Sequence, residues 1–410
     1  MILKMKDNTS PLQNIKIADL SWSVVGPSIA LYLSYYGAEV VKLESLHTPE
    51  VTRRSSPFKD GVSNIDRSLV FPIHNTNKYS ISINLKHPKG RDVALRLVSW
   101  ADIVIQSTTS KTLEKLKLTY SDLKEVNERL IVLVTSNQGQ TGPYSSHPGY
   151  GDAVVALSGF PEVTGWPDRA PSLPPGAYSD SFTPWFGSLA VLAALEYRNR
   201  TGKGQLIDLA QLEAAANMLT PTFLTCSANN SPIMRMGNRS QTDAPHGVYR
   251  CLGNDRWCAI AIASEEEWNN FIKVLGEPDW ARSHKFSSMV QRKKNEDELD
   301  KLIENWTSKR TAEEVMAELQ ANHIAAGVVQ NVSDLHQDPQ LKHRGHFQAI
   351  SHPEIDEYNV ELPPYRLSEN HVELRRPAPL LGGNTEYVCC NLLEMSGEEF
   401  AQLYSEGVFE

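Results

Sequence analysis

In the stretch "PPGAYSDSFTPWFGSLAVLAALEYRNRTGKG" (174–204), Asp180 is the acidic residue just ahead of a long apolar run. Phe182, Trp185 or Phe186, Leu189, Leu192 and Tyr197 recur at helical spacing, which predicts a buried helix with Thr183 as N-cap and Pro184 as its first residue. Arg198, Arg200 and Lys203 around Gly202 supply the cationic and glycine signals of its end. Asp180 is thereby expected in front of the positive end of a helix macrodipole, where free N–H groups keep a carboxylate ionised. Fixed and ionised, such a group can act as a nucleophile. It can equally do no more than cap the helix.

Lys42, Arg53, Arg54 and Lys78 follow expected strands, a natural place for cations that meet phosphate groups, with solvated surface charge as the alternative. "TGKGQ" (201–205) lacks the GxxxxGK[ST] frame and ends a helix, so no P-loop is expected. "GYGDAVVALSG" (149–159) lacks the third glycine of GxGxxG, so no nicotinamide nucleotide is implied. His147, His343 and His346 fall in no metal-ligand spacing, and the five cysteines form no CxxC pair. Neither a metal nor a disulfide framework is expected.

The elements that must carry these residues alternate. Residues 15–44 read as a strand, a Gly-Pro turn, an amphipathic helix closed by Gly37 and a second strand; "YSISINL" (79–85), "DIVIQS" and "RLIVLVTSN" (129–137) are further strands, separated by helical spacing. This is α/β order and predicts a parallel sheet with ligands at the carboxyl ends of its strands. Residues 246–264 read as two antiparallel strands, followed by helices to about Leu319, and mark a smaller second domain. Beyond about Pro339 the Pro-rich pieces "HPEI", "LPPYRLS" and "RRPAPLLGG" look extended, before a last helix at 397–403.

At 410 residues, with 40% hydrophobic and 22% charged residues, the chain has the composition of a soluble globular protein. Its longest apolar stretch, 189–195, is far short of the roughly 18 residues of a membrane span. The opening "MILKMKDNTSPLQ" has too short an apolar patch for a signal peptide, so a cytoplasmic protein with reduced thiols is expected. A formal net charge of −9 argues against broad nucleic-acid binding, so an anionic ligand must be met by local cations.

The blocks "DLSWSVVGPSIALYLSYYGAEVVKLE", "NTNKYSISINLKHPKG", "GQTGPYSSHPGYGDAVVALSG", "AYSDSFTPWFGSLAVLAALEYRNRTGKGQLIDLAQLEA", "GNRSQTDAPHGVYRCLGNDRWCAIAI", "NHIAAGVVQNVSDLHQDPQ" and "RRPAPLLGGNTEYV" stand in this order and cover nearly the whole chain. They resemble the class III CoA-transferase family, the group of formyl-CoA transferase, carnitine CoA-transferase and α-methylacyl-CoA racemase.

The resemblance implies a Rossmann-like large domain built from both chain ends (1–225 with 335–410), a small α/β domain (226–334) and an interlocked dimer, as a homodimer or a heteromer with a related subunit. It implies CoA transfer from an acyl-CoA to a free carboxylic acid without metal or nicotinamide, and it makes Asp180 the nucleophile that forms a mixed anhydride. It places CoA contacts at Lys78, at Arg53 or Arg54, and at Ser23 and Val24. "QSTTSKTLEKL" (106–116) departs from the family's Asn-Phe-x-Pro-Gly, with Ser107 and Thr108 in place of Asn-Phe and Lys115 near the basic position. A racemase is the alternative, but its histidine position is Tyr150 here, with His147 close by. A non-catalytic partner subunit is the other. Trp22, Tyr150, Trp166, Tyr178, Phe182 and Trp185 lie near the motifs in sequence, and either shape a pocket for a bulky acyl group or pack the core.

Overall fold

Six strands pair in parallel: β1 (Lys16–Leu20), β2 (Glu39–Glu44), β3 (Tyr79–Ser82), β4 (Ile103–Gln106), β5 (Ile131–Ser136) and β6 (Leu206–Ala210). The computed structural model describes residues 10–410, apart from the side chain of Ser110, so the apolar patch at the very start of the sequence lies outside the described residues. The strand order is β3-β2-β1-β4-β5-β6, the doubly wound arrangement in which chain direction across the sheet switches between β1 and β4. All four residues of β4 and the first five of β5 are buried, as continuous apolar runs covered on both faces must be.

On one face pack the helices Val25–Ser34 and Tyr178–Thr201, through Ile29, Leu33, Val191 and Ala194. On the other pack the helix Gly90–Trp100 and residues 388–409, through Val93, Leu97, Val388 and Leu403. Gly37, with φ +105, ends the first helix as expected, and Gly202, with φ +74, ends Tyr178–Thr201 with its N–H on the Arg198 carbonyl.

The chain divides into two compact units, 1–160 with 173–231 and 343–410, and Pro161–Ser172 with Pro232–Lys342. The segment Pro161–Ser172, expected in the large domain, thus belongs to the second unit. That unit holds the antiparallel sheet of β7 (His246–Arg250), β8 (Trp257–Ala261) and β9 (Ala325–Val328), packed by Trp268, Phe271, Leu299 and Leu319 of its helices. Where extended Pro-rich pieces were expected, the first unit has a hairpin of β10 (Phe347–His352) and β11 (Asp356–Glu361), with "HPEI" at its turn. Among the described residues no helix is long and apolar enough to cross a membrane.

Candidate active site

The helix bearing Asp180 starts at Tyr178, before Thr183 and Pro184. Its N-cap is Ala177, which has no side chain to cap with; Thr183 instead donates its hydroxyl to the Ser179 carbonyl at 2.7 Å, and Pro184 lies inside the helix. Pro184 has no N–H, so the carbonyl of Asp180 loses the partner it would have four residues on. Asp180 therefore stands in the first turn, with its carboxyl turned toward the helix Gly151–Leu157. An added Cβ at Gly151 would stand 2.7 Å from Asp180 Oδ1 and 2.5 Å from the Ala177 Cβ, so glycine is what lets the carboxyl approach this backbone.

Asp180 Oδ1 is buried and, among the described residues, has no hydrogen-bond partner. Burial, with a smaller push from Asp152, raises the carboxyl to about 6, against the pull of the Gln211 side chain. Loss of water thus makes the carboxyl less acidic than a free one, although it stays largely ionised at neutral pH. Gln211 follows β6 directly, and Asn137, against which Gly149 packs, follows β5. The carboxyl thus lies at the carboxyl edge of the sheet. Tyr178 and Phe182 stand two residues either side of Asp180, on the opposite side of the helix, and pack with Phe160 at 5.6 and 6.4 Å between ring centroids. Trp185 stacks on Tyr32 and Trp166 belongs to the second unit. Tyr178, Phe182 and Trp185 are thus each engaged with another ring. His147 packs on Tyr144, and Tyr150 is exposed at the N-cap of Gly151–Leu157.

Along the same edge, at the switch between β1 and β4, lies a cleft of about 310 Å³ lined by Leu20, Trp22, Leu43, Gln106, Thr108, Leu113 and Leu118, with His47 and Lys86 also in its walls. Ser107 Oγ joins the two strand ends: it accepts from the Trp22 N–H at 2.6 Å and donates to the Trp22 carbonyl at 3.2 Å. Ser23 follows in the left-handed region, with φ 67, and Val24 is the N-cap of the helix Val25–Ser34. Gln106 Oε1 and Thr108 Oγ1 are buried without a hydrogen-bond partner among the described residues. Lys115 is exposed on the helix Ser110–Leu116, whose Leu113 and Leu116 line the cleft. Glu410 ties down one wall: its carboxylate accepts from Ser45 Oγ at 2.9 Å and the His47 N–H at 3.1 Å, while the Val408 carbonyl accepts from the Asn84 N–H at 2.9 Å.

Arg53 and Lys78, expected to meet CoA, are buried in ion pairs. Arg53 holds Glu44 through Nε at 2.7 Å and Nη2 at 2.8 Å, and Asp66 through Nη1 at 2.6 Å. Lys78 is fully buried and gives its three protons to Asp19 Oδ2 at 2.7 Å and to the Pro27 carbonyl and Asn75 Oδ1, both at 2.9 Å. Lys42, also buried, holds the Ser21 carbonyl and Glu50 at 2.9 Å each. Burial pushes Asp19 up, but Lys42 and Lys78 outweigh it and hold the carboxyl at about 2. Of the four cations expected to meet phosphate, Arg54 alone is exposed. Sequence reasoning did not single out Lys86, His47, Gln211 or the close approach at Gly151. The nearby glycines 149 and 151 were the available signal, and they were tested only against a nucleotide fingerprint.

The model of CoA-transferase family III matches residues 12–385. A probable CoA-transferase of Mycobacterium tuberculosis is 31% identical over 97% of this chain, which spans 50% of that relative's length. The alpha subunit of succinyl-CoA–L-malate CoA-transferase from Chloroflexus aurantiacus is 29% identical, over 97% of this chain and 92% of its own. Among solved structures, a CAIB/BAIF family protein from Brucella suis superposes with a TM-score of 0.86 at 29% identity, over 94% of this chain and 100% of the other. By a family match that runs over nearly its whole length, on a fold shared with that solved relative, the chain belongs to CoA-transferase family III.

Proposed function

We propose that the chain moves CoA from an acyl-CoA donor, with succinyl-CoA the donor to test first, to a free carboxylic acid, using Asp180 as nucleophile and covalent carrier. The observation that carries this reading is the buried, unpartnered Oδ1 of Asp180. With the carboxyl raised to about 6, roughly nine-tenths of it is ionised at pH 7, and its raised basicity favours attack. A carboxylate oxygen adds to the thioester carbonyl carbon, the C–S bond breaks, and CoA leaves as thiolate, with the acyl group held on Asp180 as a mixed anhydride. The thiolate then attacks the aspartyl carbonyl carbon and expels the donor acid as carboxylate. The acceptor carboxylate attacks the resulting aspartyl thioester, and the released thiolate takes up the new acyl group and frees Asp180.

The cleft at the β1/β4 switch takes the nucleotide end of CoA. Ser23, Val24, Ser107 and Thr108 shape or line its wall, and Lys86, Lys115 and Arg54 are the exposed cations offered to phosphate groups. A second subunit, identical or related, covers the helix Tyr178–Thr201, where Leu189 is 67% exposed and Leu192 43%. The Chloroflexus relative, named as an alpha subunit, keeps the heteromer open. The reaction is assigned to the cytoplasm, in keeping with the free thiols of Cys251, Cys258 and Cys389.

Turnover of succinyl-CoA in the presence of hydroxylamine or borohydride, followed by peptide mass spectrometry, tests the chemistry. A modified Asp180 is expected. Continued exchange with that peptide unmarked overturns the reading.

A further inference from the structure

Ser45, Leu46 and His47 follow β2, and all three give a donor to one atom. Ser45 Oγ at 2.9 Å, the Leu46 N–H and the His47 N–H at 3.1 Å converge on Glu410 Oε2. Ser45 and His47 also line the cleft at the β1/β4 switch. Glu410 Oε1 is buried without a hydrogen-bond partner among the described residues, with His47 Nε2 standing 3.4 Å away. A carboxylate matches these donors poorly. Its two oxygens share about four lone-pair sites, yet here one oxygen takes three donors and the other none. A phosphate group can share the same donors among several terminal oxygens, and successive backbone N–H groups form the kind of concavity that holds such anions. Lys86, exposed in the same cleft, adds a positive charge.

We propose that Ser45, Leu46 and His47 form an anion site for a phosphate group of the acyl-CoA, and that the Glu410 carboxylate fills it until the phosphate displaces it. The proposal rests on the reading of this cleft as the seat of the nucleotide end of CoA. The side chain can swing out while the chain behind it stays in place. Val408 and Phe409 are buried in the core, Phe409 bridges to Ile83, and the Val408 carbonyl accepts from the Asn84 N–H at 2.9 Å. Each donor then passes from one anion to another, so acyl-CoA binds against the hold of Glu410. Glu410 thereby sets the affinity of the cleft.

Glu410→Ala empties the site, and Glu410→Gln leaves a neutral oxygen against its donors. Both variants and the wild type are titrated by calorimetry with CoA, with dephospho-CoA, which lacks the ribose phosphate, and with adenosine. The Kd for CoA is expected to fall about tenfold in Glu410→Ala and about threefold in Glu410→Gln, with that for adenosine unchanged. A gain that persists with dephospho-CoA assigns the site to the pyrophosphate, and one that is lost assigns it to the ribose phosphate. Weaker CoA binding in Glu410→Ala would make Glu410 an anchor of the wall and nothing more. Equal gains in the two variants, or a gain for adenosine, would make charge or packing the cause. Each of these results overturns the proposal. Photolabelling with an azidoadenine analogue of CoA keeps the two readings apart. Label on the cleft peptides without a gain in affinity sinks the role of Glu410 alone, whereas label elsewhere sinks the cleft reading and this proposal with it.

Discussion

Asp19 and Asp180 are the same side chain at the same edge of one sheet, and their surroundings drive them in opposite directions. Asp19 has two buried ammonium groups and the Ser21 N–H and hydroxyl as partners, and is held at about 2. Asp180 is also largely removed from water, but faces a glycine and another acid, and rises to about 6. The first arrangement is saturated and fixes the chain from β1 into its helix. The second leaves a lone pair over for a reaction. Burial alone does not mark a site; burial without compensation does.

Removing each carboxylate should separate these roles. Asp180→Ala is expected to lower CoA exchange by at least about 10³-fold with the melting temperature unchanged or higher. Asp19→Ala strands Lys78 and should cost about 3–5 kcal/mol in a urea titration. Comparable stability losses in the two variants would erase the contrast. Gly151→Ala tests the close approach: its Cβ collides with Asp180 Oδ1, and a displaced carboxyl should cost about 100-fold in kcat while the acyl-CoA KM changes little.

Asp180→Asn sharpens the comparison through pH. The folded carboxyl titrates at about 6 and the free one at 3.8, so the folded state binds more protons between these values and wild-type stability falls as pH rises through them. Asp180→Asn should therefore exceed wild type by about 3 kcal/mol at pH 8 and differ little at pH 4, read from chemical denaturation at both. Asp19 has the reverse sign: its contribution is complete above 3.8 and is lost as pH falls toward 2. The smallest effect is at the cleft. Lys86→Met should raise the KM for acyl-CoA about two- to fivefold with kcat unchanged, as fits an exposed cation.

The parallel sheet was legible because β4 and β5 begin as apolar runs and the strands alternate with helical spacing and glycine. The start of the Asp180 helix was misread because Pro184 carries the signal of a first turn, and only the packing of Ser179 and Ala177 against Gly151 shows the helix starting earlier. The hairpin at 347–361 was hidden by Pro353, which sits in the turn and leaves both strands free to pair. Arg53 and Lys78 looked like any cation after a strand. Their partners Asp66 and Asp19 are separated from them in sequence and meet them in the fold, and burial of an ion pair is a tertiary fact. The same reason hid the chemical state of Asp180, whose dipole is local and whose dehydration is not.

The grip of Glu410 on His47, between residues 363 positions apart, bears on how the protein is made. While a nascent chain is still on the ribosome, β1 to β6 can already lie side by side, yet the wall at 45–47 lacks its anchor until residues 408–410 emerge. The wall at 45–47 should thus be completed only after residues 408–410 have emerged, well after the sheet that frames it.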